Sequence, residues 1–216
     1  MAGFDLLAAG LAIFFLIHFV SGFYELRSRL VGLMGVTGYR AAHSLFAIGG
    51  LTLIVIGFSE SPFEPLWQPP AFSGIVALMV MPVAIIFMIG GLVSKDILRI
   101  TRHPMLWGLF LFSAVHLFAN GEQAPVMIFA SFMVYSLLAL WLTERKMRLG
   151  DRQSWEKLSA VTSVIPFKAL LEGRALPATG DRGLKAVLLG LGLFALLAYS
   201  HFWIAGVELP IARVLG

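Results

Sequence analysis

The chain has 216 residues, 59% of them hydrophobic and only 13% charged, with a mean hydropathy of +0.89 and a formal net charge of +4. A water-soluble domain needs far more charge to cover its surface, so the composition excludes a soluble enzyme or nucleic-acid-binding module and indicates an integral membrane protein. The absence of cysteine removes disulfides, thiolate ligands and Cys-based zinc sites.

A helix needs about 20 residues to cross hydrocarbon about 30 Å thick. Six stretches qualify, in order 4–23, 41–58, 72–92, 103–119, 124–142 and 184–205. The first lacks a basic leading segment and a small-residue cleavage site, so it is expected to be retained rather than removed as a signal. With no organellar transit peptide ahead of it, a multi-pass place in a bacterial inner (cytoplasmic) membrane is expected. The third carries Pro82 near its middle and is expected to kink there. Ser59 to Pro70, with four prolines, reads as an outer loop. Residues 151–165 place Trp155, Leu158, Thr162 and Ile165 on one helical face, predicting an amphipathic helix on the membrane interface that stops near Pro166. With no internal repeat and no soluble domain, residues 1–216 read as a single transmembrane domain.

Charge orients the spans. Arg27, Arg29 and Arg40 follow the first; Lys95, Arg99 and Arg102 follow the third; the long connection after the fifth runs from Arg145 to Lys185. The intervening connections, 59–71 and 120–123, carry Glu60, Glu64 and Glu122 and no basic residue. Fifteen of sixteen Lys and Arg thus fall on one side, which is the cytoplasmic one, leaving both termini on the outer face. The predicted fold is therefore an all-α polytopic transmembrane helix bundle of about six spans plus one interfacial amphipathic helix. Trp67, Trp107, Trp141, Trp155 and Trp203 sit at or beside span ends, as belt anchors do. The basic loops are accounted for by anionic lipid, and no nucleic-acid partner is needed.

Two histidines stand deep inside apolar spans, His18 in IFFLIHFVSGF and His116 in LFSAVHLFANG. An ionisable side chain at such depth is costly and marks a candidate site. It either hydrogen-bonds across a helix interface or ligates a haem iron or another metal. In straight helices the two lie about 12 Å apart along the membrane normal. With neighbouring axes about 8–10 Å apart, the pair can share one iron only if the first and fourth helices are neighbours. His103, in TRHPMLWG, lies with Arg102 at the start of the fourth span, with Pro104 in its first turn; the pair are candidate headgroup or carboxylate contacts. His43 and His201 lie near span ends and read as interfacial. Glu144 and Arg145 close the fifth span. The pairs Gly49–Gly50 and Gly90–Gly91 are expected to allow close helix packing rather than nucleotide binding.

The segments TRHPMLWG, AVHLFANG and SVIPFKALLEGR, in that order, closely resemble the NnrU family of bacterial membrane proteins, itself similar to the plant and algal 15-cis-zeta-carotene isomerases. The resemblance runs from the first-helix histidine to about Arg174. It implies haem b, with His18 and His116 at the positions of the isomerases' two axial ligands, and Arg102 and His103 beside it as candidate propionate contacts. The isomerases also carry a cysteine three residues before the second ligand, where this chain has Ser113, which puts a His-to-Cys ligand exchange in doubt. The NnrU branch is associated with nitrite and nitric oxide reduction in denitrification. A more distant likeness links Arg102, His103 and Glu144 to lipid and prenyl methyltransferases, but Arg145 stands where their second acidic residue would be. Three functions follow: a redox or nitric-oxide-responsive haem protein supporting denitrification, a polyene cis–trans isomerase using reduced haem, and a methyltransferase-like protein. The residues do not decide whether the chain is an enzyme. Its expected partners are membrane lipids and a nitric oxide or polyene ligand.

Overall fold

The computed structural model describes residues 2–176, 182–207 and 209, and those residues are almost wholly helical. The elements are α1 (Ala2–Gly22), α2 (Tyr24–Glu60), α3 (Ser73–Val93), a 3-10 helix (Lys95–Arg99), α4 (Pro104–Ala119), α5 (Gln123–Gly150), α6 (Arg152–Val161), α7 (Lys168–Leu171) and α8 (Arg182–Ala205). Each of the six predicted spans coincides with a helix. Five of these, α1, α2, α3, α5 and α8, are long and apolar enough to cross a membrane. The sixth, α4, has 16 residues and is about 24 Å long, shorter than the hydrocarbon layer. The chain is an all-α polytopic membrane protein.

Hydrogen bonds tie together the connections that charge assigned to a common face. Leu66 N–H donates to the Gly121 carbonyl at 2.7 Å and Gln123 N–H to the Glu64 carbonyl at 2.9 Å, joining the two acidic connections. At the other end of the same helices, Arg145 donates to both carboxylate oxygens of Glu25, at 3.0 and 3.3 Å. An odd number of spans between these partners would have put them on opposite faces.

Two local expectations change. The basic stretch after α1 is helical rather than a loop. Phe23 is extended, the chain re-enters helix at Tyr24, and the break falls at Gly35, whose φ of 70° glycine adopts without steric cost. Helix α3 continues through Pro82, which is compatible with the expected kink. The interfacial helix α6 stops at Val161 because the residues after it leave the helix to bond elsewhere. Thr101 Oγ1 and Trp107 Nε1 each donate to the Val164 carbonyl at 2.8 Å, and Arg102 N–H donates to the Ser163 carbonyl at 2.7 Å.

Contacts sort the chain into two compact units, with the division passing through α6. One comprises residues 1–68 and 120–156, hence α1, α2 and α5. In it α1 and α2 form a tight antiparallel pair around Gly3, Gly10, Gly50 and Gly57, where backbone meets backbone. Its apolar core holds Leu7, Leu11, Phe15 and Ile54, closed from α5 by Ala124 and the Phe132 and Tyr135 rings. The other comprises residues 69–119 and 157–216, hence α3, α4 and α8. There Gly108 lets α4 lie against the α3 backbone at Ala84 and Met88, and Gly190 does the same for α8 at Ile86. The expected packing role holds at Gly50, Gly90 and Gly91, whereas Gly49 faces open space.

Candidate cofactor-binding histidines

His18 and His116 are held alike. The Nδ1 of His18 lies 2.6 Å from the carbonyl of Phe14, and that of His116 lies 2.8 Å from the carbonyl of Phe112. A carbonyl only accepts, so each Nδ1 carries the proton and each Nε2 carries the lone pair. Each imidazole also lies against the phenyl ring of the same residue one turn back, with centroids 4.2 Å apart for Phe14–His18 and 4.3 Å apart for Phe112–His116. The shared signal is a phenylalanine four residues before the histidine, which brings ring and carbonyl onto the same helical face. A backbone-anchored Nδ1–H is the arrangement metal-ligating histidines use to fix tautomer and aim Nε2. His18 belongs to the first unit and His116 to the second.

The other two span histidines are held differently. His201 turns its Nδ1 to the Val207 carbonyl at 2.9 Å, beyond the end of α8, and it lies near enough to act electrostatically on His116. His43, which position alone marks as interfacial, stands beside the first candidate ligand. Its ring is edge-on to His18 at 5.1 Å, and it makes no hydrogen bond among the described residues. Tyr135 approaches His18 from α5 at 6.0 Å, also edge-on. Among the described residues no three His, Cys, Asp or Glu side chains stand together to hold a metal ion. A haem iron needs fewer protein ligands, since the macrocycle supplies four.

Beside His18 an open cleft of about 120 Å³ is lined by Ser21, Tyr135, Thr143 and Lys146, among others. Ser21 Oγ shares a 2.8 Å hydrogen bond with the Tyr39 hydroxyl, and Lys146 Nζ donates to the Ser21 carbonyl at 3.4 Å.

Arg102 and His103 are buried, each 8% exposed. Arg102 Nε donates to Thr162 Oγ1 at 2.9 Å and Nη2 to the Thr162 carbonyl at 3.2 Å, which commits two of its five N–H donors to the protein. The segments TRHP and SVIPF are thereby two sides of one hydrogen-bonded clamp. Hydrogen bonds to a charged group contribute about 1.5–3 kcal/mol, so Arg102→Ala should cost on the order of 3 kcal/mol. Faster proteolysis within residues 157–174 would register the opened clamp. Glu144 accepts from Trp155 Nε1 at 2.9 Å, which docks α6 on α5 and gives that carboxylate a structural partner. Ser113, one turn before His116, is fully buried, and its Oγ has no hydrogen-bond partner among the described residues.

Comparison with known proteins gives the same family. The family described as NnrU protein matches residues 6–209. A chloroplastic 15-cis-zeta-carotene isomerase of Zea mays is 24% identical over 182 residues, covering 75% of this chain and 49% of that protein. The chloroplastic 15-cis-zeta-carotene isomerase of Arabidopsis thaliana is 31% identical over 81 residues, covering 38% of this chain and 22% of that protein. The chain therefore spans about half the length, or less, of these curated relatives. No solved structure matches.

Proposed function

The chain belongs to the NnrU family, and from that premise we propose that it is an integral inner-membrane haem b protein with His18 and His116 as axial ligands. The observation that carries this reading is the twin geometry, in which two lipid-depth imidazoles each have Nδ1 committed to a backbone carbonyl one turn back. That tautomer leaves Nε2 as the donor atom a ferrous or ferric iron requires. When bound, haem would be held by His18 and His116 and would supply a redox-active iron. The protein's part is to hold each ring at a fixed tautomer, exclude water by the surrounding apolar helices, and set the ease of ligand release. Such a site suits electron relay or a response to nitric oxide, in support of nitrite and nitric oxide reduction.

A second reading uses the same histidines. Isomerisation of a membrane-dissolved polyene is favoured by the two curated relatives, both of which are 15-cis-zeta-carotene isomerases. Ser113 is the point of departure from that scheme, because a hydroxyl does not replace a thiolate as an iron ligand. The methyltransferase-like reading has no support from Arg102 or Glu144, since both are engaged by protein partners, Thr162 and Trp155.

The test is an absorption spectrum, with porphyrin and iron analysis, of detergent-solubilised protein. A low-spin haem b spectrum is expected, and colourless protein from haem-replete cells would end the proposal. Complementation of a carotenoid-producing strain blocked at the 15-cis step then divides the two readings, growth of all-trans product favouring the isomerase. Ser113→Ala should keep the wild-type spectrum and leave thermal stability equal or higher, because an unpaired buried hydroxyl costs about 1–3 kcal/mol. A melting temperature lower than wild type would show that Ser113 holds a partner.

A further inference from the structure

The cleft beside His18 has a polarity that the axial ligands do not use. His18 forms its inner wall, and Lys146 stands on its rim one turn towards the cytoplasmic end, where Nζ reaches the Ser21 carbonyl. That single contact, at 3.4 Å, is long and leaves the ammonium with further protons to give. The remaining polar lining, Ser21, Tyr135 and Thr143, consists of hydroxyls, and no carboxylate lines the cleft. Arg27, from the start of α2, adds a second positive charge that acts on Lys146 while its guanidinium lies 5.6 Å over the Tyr39 ring. The nearby carboxylate, Glu25, is taken by Arg145 through two hydrogen bonds. The rim is thus positive, its natural counter-charge is already used, and the floor beside it is an imidazole.

We propose that Lys146 receives a carboxylate of the ligand seated against His18, and that on the haem reading this carboxylate is a haem propionate. The inference rests on that reading and adds a direction to it: the propionate edge faces the cytoplasmic side of the first unit, at the junction of α1 and α5. A porphyrin edge has the right chemistry, with an apolar face for Ala139, Leu142 and the Tyr135 ring and an anionic end for the ammonium. An ion pair shielded by surrounding helices is stronger than one at an open surface, since fewer waters compete for either charge.

The experiment titrates ferric haem, and separately ferric haem dimethyl ester, into haem-depleted protein in detergent, following the Soret band. The ester has the same iron and macrocycle but no anionic propionates. Wild type is expected to bind haem about tenfold more tightly than the ester, the size of one charge-assisted hydrogen bond. Lys146→Gln should lose that preference by weakening haem alone, and Lys146→Arg should restore most of it. Size-exclusion behaviour identical to wild type keeps a folding defect out of the comparison. If Lys146→Gln keeps the full preference for haem over ester, or if wild type shows none, the assignment of Lys146 is overturned while haem binding stands. If wild type binds neither compound, the haem reading falls and this inference falls with it. If the preference disappears when phosphatidylglycerol replaces phosphatidylcholine in the mixed micelles, Lys146 holds a lipid phosphate instead, and the propionate assignment is wrong.

Discussion

His18→Ala and His116→Ala are each expected to abolish the low-spin haem spectrum and to cut haem retained through purification by more than tenfold. Disturbing a group that merely orients a metal-ligating histidine already costs about 10–100-fold in affinity, and these substitutions remove the donor atom itself. His201→Ala is expected to keep the spectrum, because His201 lies near the end of α8 and has Leu197, not a phenylalanine ring, one turn back. His43 needs a separate arm. Its ring stands 5.1 Å from that of His18, so it is the nearest imidazole in the first unit able to stand in for a missing ligand. Residual haem in His18→Ala that vanishes in His18→Ala/His43→Ala would identify it as that stand-in. Haem-to-protein ratios by pyridine haemochrome provide the measurement. Unchanged low-spin spectra in both His18→Ala and His116→Ala would refute the ligand assignment outright.

Most of the membrane architecture is readable before any coordinates, because it depends on properties the bilayer imposes on each segment separately. Apolar length marks six helices, and the alternation of basic with acidic connections pairs their ends correctly, as Leu66 with Gly121 and Arg145 with Glu25 bear out. What sequence reading misses depends on tertiary partners. Residues 24–34 carry Arg27 and Arg29 and resemble a basic loop, yet leucines at 26, 30 and 33 give them a lipid-facing side on which helix persists as far as Gly35. Likewise Thr162, Ser163 and Val164 suit the continuation of α6, but their carbonyls are needed by Arg102, Thr101 and Trp107, some sixty residues earlier. For the site, depth alone singles out His18 and His116. Their common anchoring is also legible, in the phenylalanine four residues ahead of each, but it supports the proposed ligand role only together with the Nδ1-to-carbonyl geometry. His43 was missed because its place near a span end says nothing about the helix it packs against.

The seven-residue spacing of three α2 positions supplies that missing information and leads to the largest structural effect expected of any substitution here. Gly57, Gly50 and His43 are each seven residues apart, so they form one stripe down α2, and on α1 the spacing of Gly3 and Gly10 repeats it. The stripes face each other. A Cβ at Gly57 would sit 2.7 Å from the Leu7 Cα and 2.9 Å from the Gly3 carbonyl oxygen; one at Gly50 would sit 2.8 Å from the Phe14 backbone nitrogen. In lipid, where burial of apolar surface does not drive helices together, such close backbone approach is a main source of association. Gly57→Val forces two backbones apart instead of moving a flexible side chain, so its cost should exceed the roughly 1–3 kcal/mol typical of overpacking. Separating the helices also withdraws His43 from His18 and opens the α1 face on which the Phe14–His18 pair is built. Gly57→Val is therefore expected to yield little folded protein, and whatever survives should bind haem weakly. Gly49→Val is the matched control. It adds the same side chain to the same helix, but in open space, so it should change stability by no more than about 0.5 kcal/mol. Thermal melts of the two variants in one detergent decide the matter: equal midpoints would mean that the glycine stripe does not hold α1 against α2, and that the position of His43 beside His18 needs another cause.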